Sequence, residues 1–81
     1  MKIFIYSILS NINYNNIKII KIYDEYESYS LMNNHVPSIG KLIFIIFLNN
    51  NKLLKINFNN AVYIQKNKNL NIICENYEFF K

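Results

Sequence analysis

Three features of this sequence have side chains able to catalyse or to hold a metal: the single histidine His35, the single cysteine Cys74, and the acidic cluster Asp24, Glu25 and Glu27. Histidine titrates near neutrality and can act as acid, base or ligand. His35 stands in "NNHVP", however, with no nucleophile or carboxylate at a catalytic spacing, and zinc needs three or four ligands. A lone cysteine cannot close an internal disulfide, and Cys74 lies in the apolar run "LNIIC" with no metal-ligand residue beside it. It reads as a buried structural thiol, which suits a reducing compartment. "YDEYESYS" lacks the alternating oxygen ligands and the glycine of a calcium loop and reads as a solvated connection. The residues therefore predict no catalytic group, no cofactor and no metal.

The chain's only His, only Pro and only Gly fall together at 35, 37 and 40. Pro37 fixes its own φ and biases Val36 to extended geometry, so the pair shapes a turn with His35 at its tip. Gly40 allows a turn or a close backbone approach at the entry to the strand that follows. Rare residues concentrated in one turn mark a contact surface better than a catalyst.

Asn and Ile each make up about one residue in five, far above ordinary usage. All nine basic residues are Lys. These are residues of A/T-rich codons, and an A/T-biased genome accounts for the composition. Turns still need positive φ, and Asn is the next-best occupant of the left-handed region after Gly. Asn15-Asn16, Asn33-Asn34, Asn49-Asn50-Asn51, Asn59-Asn60 and Asn67-Lys68-Asn69 are accordingly predicted turns. The net charge of +4 attracts anions mildly, but the lysines are scattered and no Arg is present, so a nucleic-acid footprint is not expected. The start, "MKIFIYSILS", imitates a signal peptide without its small-residue cleavage site. The longest apolar run, "LIFIIFL", is far short of a bilayer span, so no membrane insertion is expected.

The 81 residues suffice for a single domain, 1–81, around one modest core. β-branched and aromatic residues dominate, and no segment carries a helical stripe of adequate length. "KIFIYSI", "IKIIKIY", "YSLM", "IGKLIFIIFL", "KLLKINF", "AVYIQ", "LNIIC" and "EFFK" read as strands. In the second of these Ile17, Ile19 and Lys21 share a face, and "SNINYNN" before it reads as a connection. The prediction is an all-β domain: a small antiparallel β-sandwich or flattened barrel of about 8–10 short strands. Phe79 and Phe80 would close the edge of its core.

The run "INFNNAVYIQKNKNLNIICENYEF" resembles the last hairpin of the N-terminal β-sandwich of the epsilon subunit of F-type ATP synthases, called delta in mitochondria. A Gly pair of that family corresponds to Asn59-Asn60, its Pro-Gly-Asn-like turn to Asn67-Lys68-Asn69, and its acidic strand end to Glu75. Its His-Ala-Pro turn corresponds to His35-Val36-Pro37, with Tyr14 upstream at nearly the family's spacing. The resemblance runs from about Lys2 to Phe80, and it departs in the acidic loop, where the family's glycines are missing. It ends where the family's helical hairpin would begin, so regulation by such helices is not implied for these residues.

The resemblance implies a non-catalytic central-stalk subunit of an F-type ATP synthase. It would bind the foot of the gamma subunit within an alpha/beta/gamma assembly and couple it to the rotor c-ring, at the cytoplasmic or matrix face of the membrane. Glu27 and Ser28 would lie nearest the ring, with Asn34, His35 and Val36 in the neighbouring partner-facing loop. A related ATPase that drives another movement, gliding being one, fits equally. The alternative from another class is a small OB-like barrel that binds single-stranded nucleic acid or ribosomal RNA through Lys and Tyr.

Overall fold

Alternating β-branched and aromatic residues extend the backbone. The computed structural model, which describes residues 2–17, 19–24, 28–32 and 37–80, is all-β with no helix among those residues. Its strands are β1 (Lys2–Tyr6), β2 (Asn11–Tyr14), β3 (Ile19–Tyr23), β4 (Ser28–Met32), β5 (Ser38–Asn49), β6 (Lys52–Lys66), β7 (Asn69–Ile73) and β8 (Asn76–Phe80). They form one sheet in the order β2-β1-β7-β6-β5-β3-β4, with β8 also paired to β6. The path does not close into a barrel.

The sheet becomes a sandwich because the β5–β6 hairpin belongs to both of its halves. Along one edge, β6 pairs with β8 over 55–59 and with β7 over 62–66. β5 pairs with β3 only through 44–47. One layer is thus β2, β1, β7 and the adjoining ends of β6 and β5. The other is β8, the opposite ends of β6 and β5, β3 and β4. Contacts between elements that are not neighbours in the sheet bring the layers together: Tyr14 of β2 meets Phe47 of β5 edge-on at 5.0 Å between ring centroids, and the Ser10 and Tyr77 hydroxyls lie 2.7 Å apart.

Inward-facing residues of both layers fuse into one core. Ile3, Ile5, Leu70 and Ile72 come from the first layer, and Ile20, Ile22, Ile45, Phe47 and Ile56 from the second. Each such side chain, wholly buried, stabilises the fold by about 1.5–3 kcal/mol relative to exposure. Cys74 is buried in the same core, as its apolar run predicts.

The left-handed residues fall in the asparagine clusters that codon bias singles out. Asn16, Asn50, Asn51, Asn60 and Asn67 all have positive φ, between 49° and 62°. Asn50 and Asn51 are the central residues of the β5–β6 hairpin loop and are both left-handed, the signature of a type I′ turn. The pair Asn33-Asn34 lies outside the described residues.

Four expectations are corrected. Asn59-Asn60 does not end a strand: β6 continues through it for fifteen residues, because Phe58, Asn59 and Asn60 bulge opposite the lone Ile43 and turn the corner between layers. "NINY" is a strand rather than a connection, paired to β1. Ile17 does not share a face with Lys21: Ile17 is buried and Lys21 exposed, because β3 begins only at Ile19 and Ile17 enters the core from before the strand. Finally, the sheet is mixed. β1 lies parallel to β7, a pairing that needs a long crossover, and β2 to β6 together supply it.

Candidate docking surface

Of the residues expected to meet partners, Glu27, Asn34, His35 and Val36 lie outside the described residues. Ser28 opens β4, its backbone in register with Tyr23 of β3. Pro37 is exposed just before β5. Asp24 lines a cleft of about 440 Å³ at the corner, together with Lys41, Ile43, Phe58 and Asn59. The link from β7 to β8 straps that corner: Glu75 N–H donates to the Asn59 carbonyl at 3.0 Å, Asn60 Nδ2 donates to the Glu75 carboxylate, and Asn59 Nδ2 donates to Asn76 Oδ1 at 2.6 Å.

No group of three or more potential metal ligands exists among the described residues. The Cys74 thiol donates weakly to the Tyr6 carbonyl at 3.6 Å. Burial pushes its pKa up, away from the reactive thiolate. Tyr14 is also pushed up, by burial first and by neighbouring Tyr77 second.

Gly40 does not make a turn. It sits inside β5 with no positive φ, directly across from Tyr63. A Cβ there would lie 2.9 Å from Tyr63 Cε1, so the tyrosine ring occupies the space that glycine leaves open. The close approach expected at Gly40 is to a ring on the neighbouring strand.

Both outer faces of the sandwich carry apolar side chains. On the β8-β6-β5-β3 layer, Tyr23 stacks on Phe44 at 4.4 Å, and the Lys55 ammonium lies 4.4 Å from the centroids of both Phe44 and Phe80. That Lys and those rings satisfy one another. Phe79 and Phe80 do not close the core; each is about half exposed, and Phe80 lies across from Lys55 on the outer face.

The outer face of the other layer is flatter in chemistry and less self-satisfied. Register places Val62, Ile73 and Tyr6 in one cross-strand row and Ile39, Ile64, Asn71 and Phe4 in the next. Ile39 is 73% exposed and Ile73 51%. Sequence reasoning did not locate this face, although "AVYI" and "IIC" are apolar at consecutive positions, which is the mark of a strand covered on both sides. No helix among the described residues is long and apolar enough to cross a membrane.

No protein-family description matches the chain, and no curated protein does. Among solved structures, the fold is similar to a chain of the Tetrahymena thermophila mitochondrial ATP synthase central stalk and c-ring, with a TM-score of 0.78 and 11% identity. The match covers 96% of this chain and 65% of that one, so these residues span a little under two thirds of the neighbour's length. At this identity what the two share is the fold.

Proposed function

We propose that this domain is a non-catalytic subunit of the central stalk of a rotary F-type ATPase, bound to the foot of a gamma-like shaft. The observation that carries the reading is the fold likeness to a central-stalk and c-ring structure over nearly the whole of this chain. The resemblance of the strand and turn order to the epsilon family supports the same reading. In this role the domain does mechanical work: it transmits torque between shaft and ring without slipping. Glu27 and Ser28 would face the ring, with Asn34, His35 and Val36 in the neighbouring loop against the shaft or ring. The location would be peripheral, at the cytoplasmic or matrix face of a coupling membrane.

Such a subunit needs an obligate-type interface of roughly 2,000 Å² or more, and the exposed isoleucines supply apolar surface for one. The nucleic-acid alternative gains nothing from the layer richest in aromatic rings, where Lys55 is already held between Phe44 and Phe80 rather than displayed beside them.

Co-expression with the shaft subunit of the same organism's F-type ATPase tests the reading. A complex that survives gel filtration is the expected result. A chain that elutes as a stable monomer apart from the shaft would end it.

A further inference from the structure

Lysines that lie far apart in the sequence are gathered by the fold at one end of the sandwich. Lys66 closes β6, Asn69 opens β7 and Lys2 opens β1, and register sets the three side by side. All three are exposed, on the side of the sheet opposite the buried Gln65, Leu70 and Ile3. Neighbouring strands lie about 4.8 Å apart, so Lys2 and Lys66 stand roughly 10 Å from each other across Asn69. Lys68, in the two-residue turn Asn67-Lys68, adds a third ammonium beyond them. Neither β1, β7, 61–66 nor the turn contains an Asp or Glu.

The turn itself is pinned. Asn67 takes the left-handed φ of 58°. Gln65 Nε2 donates to the Asn67 carbonyl at 3.1 Å, and the Lys2 N–H donates to the Lys68 carbonyl at 2.9 Å. Both carbonyls of the turn are thus engaged within the protein, and the negative ends of those dipoles do not face an incoming anion. The pin is costly. Gln65 is wholly buried, and its Oε1 has no hydrogen-bond partner among the described residues. An aliphatic side chain would be the more stable choice there. A fold that keeps a carboxamide in that place gives up stability to fix the turn, and such trades mark functional sites.

We infer that the β6–β7 turn is a binding site for a phosphate group, held by the ammoniums of Lys66, Lys68 and Lys2 around the Asn69 carboxamide. Three point charges on separate flexible stems suit the spread oxygens of a phosphate. A carboxylate is better met by the planar fork of Arg, which this chain lacks. A nucleic-acid strand would need a track of such charges, whereas the next row inward, Phe4, Asn71 and Ile64, carries none. Soluble phosphate and a lipid headgroup present the same chemistry to the turn.

The test titrates the complete chain at constant ionic strength with inorganic phosphate and pyrophosphate, with chloride as the control, and follows its amide NMR signals. Saturable shifts confined to 66–69 and Lys2 are expected at roughly millimolar concentration. Sedimentation with phosphatidic acid vesicles, against phosphatidylcholine, reads the lipid source. Lys68→Ala should weaken binding about tenfold. Gln65→Leu should weaken it about threefold, because a freed turn must be ordered on binding, while the same variant unfolds at higher urea.

Saturation by soluble phosphate, or capture by the phosphatidic acid vesicles alone, supports the site and identifies its source. Shifts that chloride reproduces, or no shift and no capture, overturn it. Gln65→Leu binding as tightly as the unaltered chain would reduce the pin to a structural contact and overturn the inference too. A single-stranded oligonucleotide whose shifts run on past Phe4 and Ile64 along the sheet would give the lysines to a nucleic acid, with the same result. The shaft subunit takes no part, so none of these outcomes bears on the rotor reading.

Discussion

Gly40 and Tyr63 show how one missing Cβ can hold a strand in place. The ring leans across the ladder onto the glycine, and a methyl group there would stand 2.9 Å from a ring carbon. Gly40→Ala is therefore expected to destabilise the fold by about 1–3 kcal/mol through overpacking, read as a lower denaturation midpoint. Combining it with Tyr63→Leu should recover most of that loss, because the two effects share one contact. The asparagines make the complementary point. A/T-biased codons withhold glycine, yet the backbone takes positive φ at Asn16, Asn50, Asn51, Asn60 and Asn67. Turn chemistry was legible residue by residue because only Asn remained to satisfy it. Gly40 survives where asparagine could not serve, since the demand there is for space, not for a dihedral angle.

At the scale of elements, strands bounded by asparagine turns announced themselves. "KLLKINF" and "LNIIC" bury the residues their pattern selects, namely Ile56, Phe58, Leu70, Ile72 and Cys74. "IKIIKIY" did not, since Ile at both parities leaves the inward phase to be chosen by packing. β2 escaped notice because it is four residues long and only Ile12 and Tyr14 reach the core. The continuity of β6 and the parallel placing of β1 are non-local, and no short window of sequence encodes them. Nor could the exposed apolar face be located: an apolar residue looks the same in sequence whether it points in or out. Gln65, the polar residue on the inner side of β6, tests this inversion. Gln65→Leu removes a buried oxygen that has no partner, at the loss of one hydrogen bond to the Asn67 carbonyl. A net gain of about 1 kcal/mol is expected in urea unfolding.

For the molecule as a whole, two groups that burial keeps protonated make stability depend on alkaline pH. Tyr14 and Cys74 both have raised pKa values, from ordinary values of 10.0 and 9.0. A raised folded-state pKa means that the native state holds the proton more firmly than the unfolded chain does. Their contribution is full below the ordinary values and is lost as pH climbs through the raised ones. From these two groups the urea midpoint should fall as pH rises above 9.0, and Tyr14→Phe should make that fall shallower.

The hairpin that joins the layers has a consequence in terms of force. β5 and β6 run unbroken from one layer into the other, so a load entering one outer face and leaving by the opposite one travels along two covalent chains. No loop lies in that path to act as a hinge. Sliding the layers past each other would shear many ladder hydrogen bonds together, and flattening the corner would break the Glu75 and Asn76 straps first. A domain wired in this way twists as one body. Such stiffness suits a coupling placed between two turning parts, and it comes from a bulge of three residues opposite one.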